Sequence, residues 1–413
     1  MKATNPLQYT VYGYRYVVLA VFVLVNITVE ILWITFGSIT LPASQYYGVS
    51  DLQIGLLAMI FMLIFIPLSL PVSWMIDTWG FYKTVSAGAI LMAICGVLRG
   101  LMGSHYTPVL LWTIGIALAQ PFFLNSWTKV AARWFPIQER ATAVGLAAVG
   151  NFIGIGVGLA LTPILTAKYS IPTVLLFYGV AAAISSVLFI LFAREAPPTP
   201  PCPPGMEDRA LMLDGLRSLV KSTPFWMLMS IFLIANGIFN GLSTWMEGVV
   251  RPRGFDPEQA GLVGGFLLLG GILGAFLLPT FSDRNQKRKP YLIVGALGCI
   301  PGLLGIAFAR QYGLLLASAF EFGFMLIGIA PIGYQYAAEL TYPVPEGTSN
   351  GMLSLAGQTS VVFIFAMEAL RGKDGSFSLS LVLLAILIFL NALLLTRLKE
   401  SALVGKAQET TTI

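Results

Sequence analysis

Twelve long apolar runs separated by short polar stretches set the pattern of this chain. They fall at 15–42, 52–76, 83–102, 107–130, 141–166, 171–193, 224–248, 260–281, 290–308, 313–339, 350–370 and 376–396. Each is about twenty residues or longer, enough at 1.5 Å per residue to cross a hydrocarbon core of roughly 30 Å. Barrel strands would be about ten residues long and alternate in polarity. These runs do neither. Backbone groups in lipid must pair within their own segment, so the runs predict helices. The expected fold class is an all-α membrane protein with twelve transmembrane helices.

The polar stretches contain a repeat. Residues 72–83 read VSWMIDTWGFYK and residues 278–289 read LPTFSDRNQKRK. Asp77 precedes Lys83 by six residues, as Asp283 precedes Lys289, and the offset between copies is 206 residues. Phe135-Pro136 with Glu139 recurs as Tyr342-Pro343 with Glu346 at nearly that offset. The repeat predicts two pseudo-symmetric six-helix bundles, 1–193 and 224–413, a plan used by secondary transporters. The Pro-rich stretch at 194–223 is the expected linker, since such chain is stiff and extended. An Asp at a helix end can cap a neighbouring helix N-terminus and pair with a base across the bundle. Asp77, Lys83, Arg140, Asp283 and Arg284 are therefore candidate gating residues, the alternative being solvated loop charges.

Composition agrees with this pattern. Hydrophobic residues make up 57% of the chain and charged ones 10%, against about 25% charged in an ordinary soluble domain. Of the 24 Lys and Arg, 17 fall on the side holding both termini and 7 on the other. That asymmetry places both termini in the cytoplasm. The short loops point to a cell inner (plasma) membrane of a prokaryote. Trp74, Trp134 and Trp226 sit near expected interfaces and read as belt anchors. Cys95, Cys202 and Cys299 have no metal-ligand spacing and read as inert thiols, while the single His, His105, falls in a loop. A His-dependent enzyme or metal site is excluded on these grounds. Neither a P-loop nor a nucleotide fingerprint occurs, so the expectation is no cofactor and no nucleic-acid partner. The partners expected are a small-molecule substrate and the lipid bilayer, and the chain is read as a monomer.

Polar residues inside the apolar runs are functional candidates, because an unpaired charge there costs about 3 kcal/mol or more. Glu30 lies about fifteen residues in from Arg15, near the expected midplane, and Trp33 follows on the same helix face. Gln120 is at mid-depth, Asn236 and Asn240 reach a depth similar to that of Glu30, Asn151 and Gln358 each directly follow a Gly, and Tyr334 lies in the inner part of its helix. Trp33 and Asn240 are 207 residues apart, as are Asn151 and Gln358. The expectation is that Trp33 and Asn240 face each other across a central cavity. Asn and Gln can also simply bridge helices. Glu30 carries a proton, faces a cationic substrate, or serves a structural hydrogen bond. Glu247 and Glu368 read equally as rim charges or functional groups. No Lys or Arg falls near a midplane, so the pocket leans to a cationic or neutral solute. A Trp face suits an ammonium group.

The loops at Asp77, Gly80 and Lys83, and at Asp283 and Arg284, resemble the helix 2–3 signature of the major facilitator superfamily (MFS). Trp134-Phe135-Pro136 with Glu139-Arg140-Ala141 is similar to its helix 4–5 loop. Residues 33–39 (WITFGSI), 47–50 (YGVS), 67–74 and 333–343 (GYQYAAELTYP) with Glu346-Gly347 resemble the feline leukaemia virus subgroup C receptor-related family. That family is linked to choline, ethanolamine and haem, with relatives linked to pyridoxine. The resemblance implies alternating access and a choline site in which Trp33, Gln120 and Gln358 match the family's tryptophan and glutamines. Two departures stand out. Asn240 replaces a tyrosine, and Glu30 is an acid where choline-handling members look uncharged. The expected function is transport of a small cationic amine such as choline or ethanolamine, with Trp33 as platform and Glu30 as counter-charge. The alternatives are a proton-coupled transporter of a neutral, pyridoxine-like solute, a haem transporter, and a binding-only receptor. For haem, no His or Cys is placed to ligate iron.

Overall fold

The computed structural model describes residues 10–201, 219–285, 287–341 and 346–400. Most of the expected linker, Cys202, and Tyr342-Pro343 of the second repeat lie outside the described residues, as does the side chain of Glu346.

The apolar runs form helices: α1 (Arg15–Ile34), α2 (Thr40–Tyr47), α3 (Asp51–Trp79), α4 (Phe81–Leu101), α5 (Tyr106–Leu124), α6 (Trp127–Trp134), α7 (Ile137–Thr166), α8 (Ile171–Phe192), α9 (Thr223–Thr244), α10 (Met246–Val250), α11 (Pro257–Arg284), α12 (Lys289–Phe308), α13 (Tyr312–Gly328), α14 (Ala330–Leu340), α15 (Glu346–Thr359), α16 (Val361–Ala369) and α17 (Ser378–Arg397). Twelve spans among the described residues are long and apolar enough to cross a membrane. Several are broken where one run was expected. The run 15–42 divides between α1 and α2, because the carbonyl of Gly37 accepts from the Glu247 backbone at 3.2 Å instead of continuing the helix. The run 313–339 breaks at Ile329, just ahead of Pro331, which cannot donate to the preceding turn.

The helices group into two compact units. The first holds residues 1–33, 67–154 and 170–210 as far as they are described; the second holds 34–66, 155–169 and 211–413. The units do not coincide with the first and second halves of the chain.

In the first unit α1 is the most buried span. Lipid is as apolar as Leu, so packing and hydrogen bonds must hold such a helix in place. Polar ties fan out from α1 to its neighbours. Asn26 accepts from the Trp127 indole at 2.9 Å, Thr28 shares a hydrogen bond with Ser185 at 2.9 Å, and the Leu32 carbonyl accepts from Arg99 at 3.0 Å. Gly154 lets α7 approach, since a Cβ there would lie 2.9 Å from the Glu30 Cβ and nearer still to the Ile27 carbonyl.

In the second unit α11 crosses α13 at Gly270 and Gly323, where backbone meets backbone. Trp245 is buried, donates to the Ile364 carbonyl at 3.1 Å, stacks on Phe377 and fills the space beside Gly55.

Candidate functional site

In the first unit the candidate residues on α1, α5 and α7 come together at Glu30. Its carboxylate is buried in the penultimate turn of α1. Gln120 Nε2 donates to Glu30 Oε1 at 3.3 Å, and Asn151 Nδ2 donates to the same oxygen at 3.1 Å. No Lys or Arg pairs with Glu30 among the described residues. The other ends of both amides, Gln120 Oε1 and Asn151 Oδ1, are buried without a hydrogen-bond partner. Trp33 is buried one turn beyond Glu30 on the same helix. The cluster is rich in acceptors, with a net negative charge when Glu30 is ionised.

In the second unit Asn240 is buried and donates to Ser360 Oγ at 3.0 Å. Tyr334 is half-buried with its ring 4.8 Å from that of Phe232, and Gln358 is half-buried on α15. Asn236 returns to its own helix, donating to the Phe232 carbonyl at 2.8 Å.

The candidate gating residues divide. Asp77 pairs with Lys129 of α6 at 2.9 Å, while Lys83 is exposed. Arg140 donates to the carbonyls of Ala132 and Phe135 at 3.1 and 3.3 Å, tying down the turn between α6 and α7. Asp283 pairs with Arg288, which also reaches Glu339 at 3.4 Å; Arg284 is exposed. Burial works against the Arg288 charge, but the hydrogen bond to Asp283 and the charge of Glu339 outweigh it and raise its pKa.

Neither Asp caps the neighbouring helix. The N-terminus of α4 is held by Glu195, which accepts from the backbone of Phe81 and Tyr82 at 3.3 and 2.8 Å. The N-terminus of α12 is held by Glu400, which accepts from Arg288 and Lys289 at 3.1 and 3.2 Å. The reason is geometric: each Asp sits on the last helical turns before the reversal, and the open amides face the chain leaving the last helix of that half. Glu195 and Glu400 are 205 residues apart, so the repeat offset could have found them. Trp134 also departs from the belt reading, being buried with its indole on the Arg194 carbonyl at 2.9 Å. Trp74 and Trp226 are exposed, as expected.

A charge cluster lies in the second unit around Asp51, the first residue of α3; of its members the sequence singled out only Glu247 and Glu368. Asp51 accepts from Arg251 at 2.7 Å and Arg371 at 3.0 Å. Arg251 also reaches Glu247 at 3.5 Å and Arg371 reaches Glu368 at 3.2 Å. Glu247 is not a solvated rim charge: it is 1% exposed and accepts from the Leu41 backbone at 3.1 Å. Burial raises its pKa, and the Arg251 charge only partly offsets this. For Arg371, burial is outweighed by the hydrogen bond to Asp51 and the charge of Glu368, so its pKa rises. The 320-residue separation of Asp51 and Arg371 hid the cluster from the sequence.

The family profile of the Major Facilitator Superfamily matches residues 18–366. Solute carrier family 49 member A3 of Danio rerio is 29% identical over 379 residues, covering 88% of this chain and 80% of its own. Choline/ethanolamine transporter FLVCR2 of Homo sapiens is 28% identical over 383 residues, covering 88% and 73%. The fold is shared with a bacterial homologue of the human lysosomal transporter Spinster, at a TM-score of 0.74 and 16% identity over 93% of this chain and 96% of that one. Twelve membrane-crossing spans and a profile match over most of the length lead to one conclusion: the chain belongs to the Major Facilitator Superfamily, as a multi-pass secondary transporter of a small molecule and not an enzyme.

Proposed function

We propose that this transporter moves a small organic amine of the choline and ethanolamine class by alternating access. One observation carries the reading. Glu30 is a buried carboxylate that no basic side chain neutralises among the described residues, and two amides hold it in place. A bare carboxylate among membrane helices calls for a cation, either a proton or a substrate. The relatives named as choline/ethanolamine transporters favour the substrate. Trp33, one turn away, offers a ring to an ammonium group. Gln120, Asn240, Gln358 and Tyr334 are assigned to substrate contact. Asp77 with Lys129 and Arg140 in the first unit, and Asp283 with Arg288 in the second, are assigned to gating. The Asp51 cluster of the second unit is assigned to gating as well. We place both termini in the cytoplasm of an inner membrane and take the monomer as the working unit.

Uptake of labelled ethanolamine and choline into proteoliposomes tests the proposal. Wild-type protein takes up at least one of them, and Glu30→Gln reduces that uptake at least about tenfold, as expected for losing a buried charge-assisted contact. Failure to transport either amine overturns it. The second reading rests on the same Glu30 serving as a proton carrier for a neutral solute. It predicts uptake of such a solute that stops when the proton gradient is collapsed.

A further inference from the structure

We propose that the Glu30–Gln120–Asn151 cluster selects a primary ammonium group, so that the transporter ranks ethanolamine above its N-methylated forms and choline last. This rests on the amine reading above and narrows it. Both amides turn their nitrogen toward Glu30 Oε1, at 3.3 and 3.1 Å. That orientation leaves their carbonyl oxygens, Gln120 Oε1 and Asn151 Oδ1, buried without a hydrogen-bond partner. Gln120 itself is only 4% exposed. The close approach at Gly154 draws α7 onto α1 beside Glu30, and Asn151 lies one turn earlier on the same helix.

A carboxylate and an amide carbonyl accept hydrogen bonds and cannot donate them. With Glu30 ionised, the cluster presents one anionic and two neutral acceptors, and a buried acceptor left unmet is costly. A primary ammonium brings three N–H donors to these acceptors. Each N-methyl group removes one donor and adds bulk, and a trimethylammonium has none left. The carboxylate still attracts a quaternary cation by charge, but the two carbonyl oxygens stay unmet. Sites built to hydrogen-bond a substrate N–H reject the analogue that lacks it far more strongly than apolar pockets discriminate size.

The test is equilibrium binding to the purified full chain across one series: ethanolamine, N-methylethanolamine, N,N-dimethylethanolamine and choline. The expected result is a stepwise loss of affinity with each methyl group. Ethanolamine should bind at least about tenfold more tightly than choline. A flat series, or affinity rising toward choline, overturns the proposal while leaving amine transport intact. No binding of any of the four overturns the amine reading and this inference with it. Gln120→Met and Asn151→Leu roughly keep side-chain size and remove the carbonyl oxygens together with the amide donors to Glu30. Loss of the donors to Glu30 weakens both ligands, and loss of the acceptor weakens ethanolamine further, so each variant should cut the ethanolamine-to-choline affinity ratio about fivefold, compressing the ranking. Equal losses for both ligands mean a merely structural role and overturn the assignment. If either variant fails to fold, the wild-type methylation series alone decides.

Discussion

Asp51→Asn offers the sharpest quantitative check on the second unit. Asp51 takes two guanidinium groups, at 2.7 and 3.0 Å, and the three side chains are only 16%, 21% and 18% exposed. An exposed pair would contribute about 0–1 kcal/mol, and removing one partner of a fully buried pair would cost about 3–5 kcal/mol. This site lies between those limits. Arg251 and Arg371 also keep Glu247 at 3.5 Å and Glu368 at 3.2 Å, which softens the loss. Asn can accept from one arginine, but its amide nitrogen then sets donor against donor at the other. About 2 kcal/mol of destabilisation is expected, close to a 30-fold shift in the unfolding equilibrium. The assay is equilibrium unfolding in mixed micelles for Asp51→Asn, Arg371→Gln and the double variant. Because the two residues touch, the double variant should lose at least about 1 kcal/mol less than the sum of the singles. Additivity within about 0.3–0.5 kcal/mol would refute the view that Asp51 and Arg371 act as one unit.

Three further outcomes follow from other contacts. The raised pKa of Glu247 means that the folded state holds its proton more tightly than the unfolded chain, so stability falls as pH rises from the ordinary carboxylate pKa to the raised one. Glu247→Gln should flatten that slope in melting temperatures recorded from acid to neutral pH; an unchanged slope would contradict the assignment. Gly154→Ala pushes a methyl group against the Ile27 carbonyl and the Glu30 Cβ, and should cost about 1–3 kcal/mol in the same unfolding assay while lowering amine uptake. Glu195→Gln removes a charged cap from α4 and should cost about 0.5–1 kcal/mol; Glu400→Gln should cost less on unfolding, because Glu400 is exposed and Glu195 is half-buried.

The sequence by itself determined the number and approximate bounds of the membrane helices, because span length and backbone pairing in lipid leave few alternatives for a run of twenty apolar residues. It also singled out Glu30, Gln120 and Asn151, since polar groups within such runs are rare enough to stand out one by one. The tertiary structure alone decided that Gln120 and Asn151 share a single carboxylate oxygen of Glu30, because they lie 90 and 121 residues from it and no local pattern encodes such a distance. It decided that Asp77 meets Lys129 rather than a helix end, and that Glu195 and Glu400 fill the caps expected of Asp77 and Asp283. It turned Glu247 from a rim charge into a buried member of a five-residue cluster with Asp51, Arg251, Glu368 and Arg371. It also split the run 15–42, where the Gly37 carbonyl turns from its own helix to the Glu247 amide. Periodicity along the chain reports which surface of a helix is apolar; which helices meet, and at what height, is settled by packing between segments far apart in sequence.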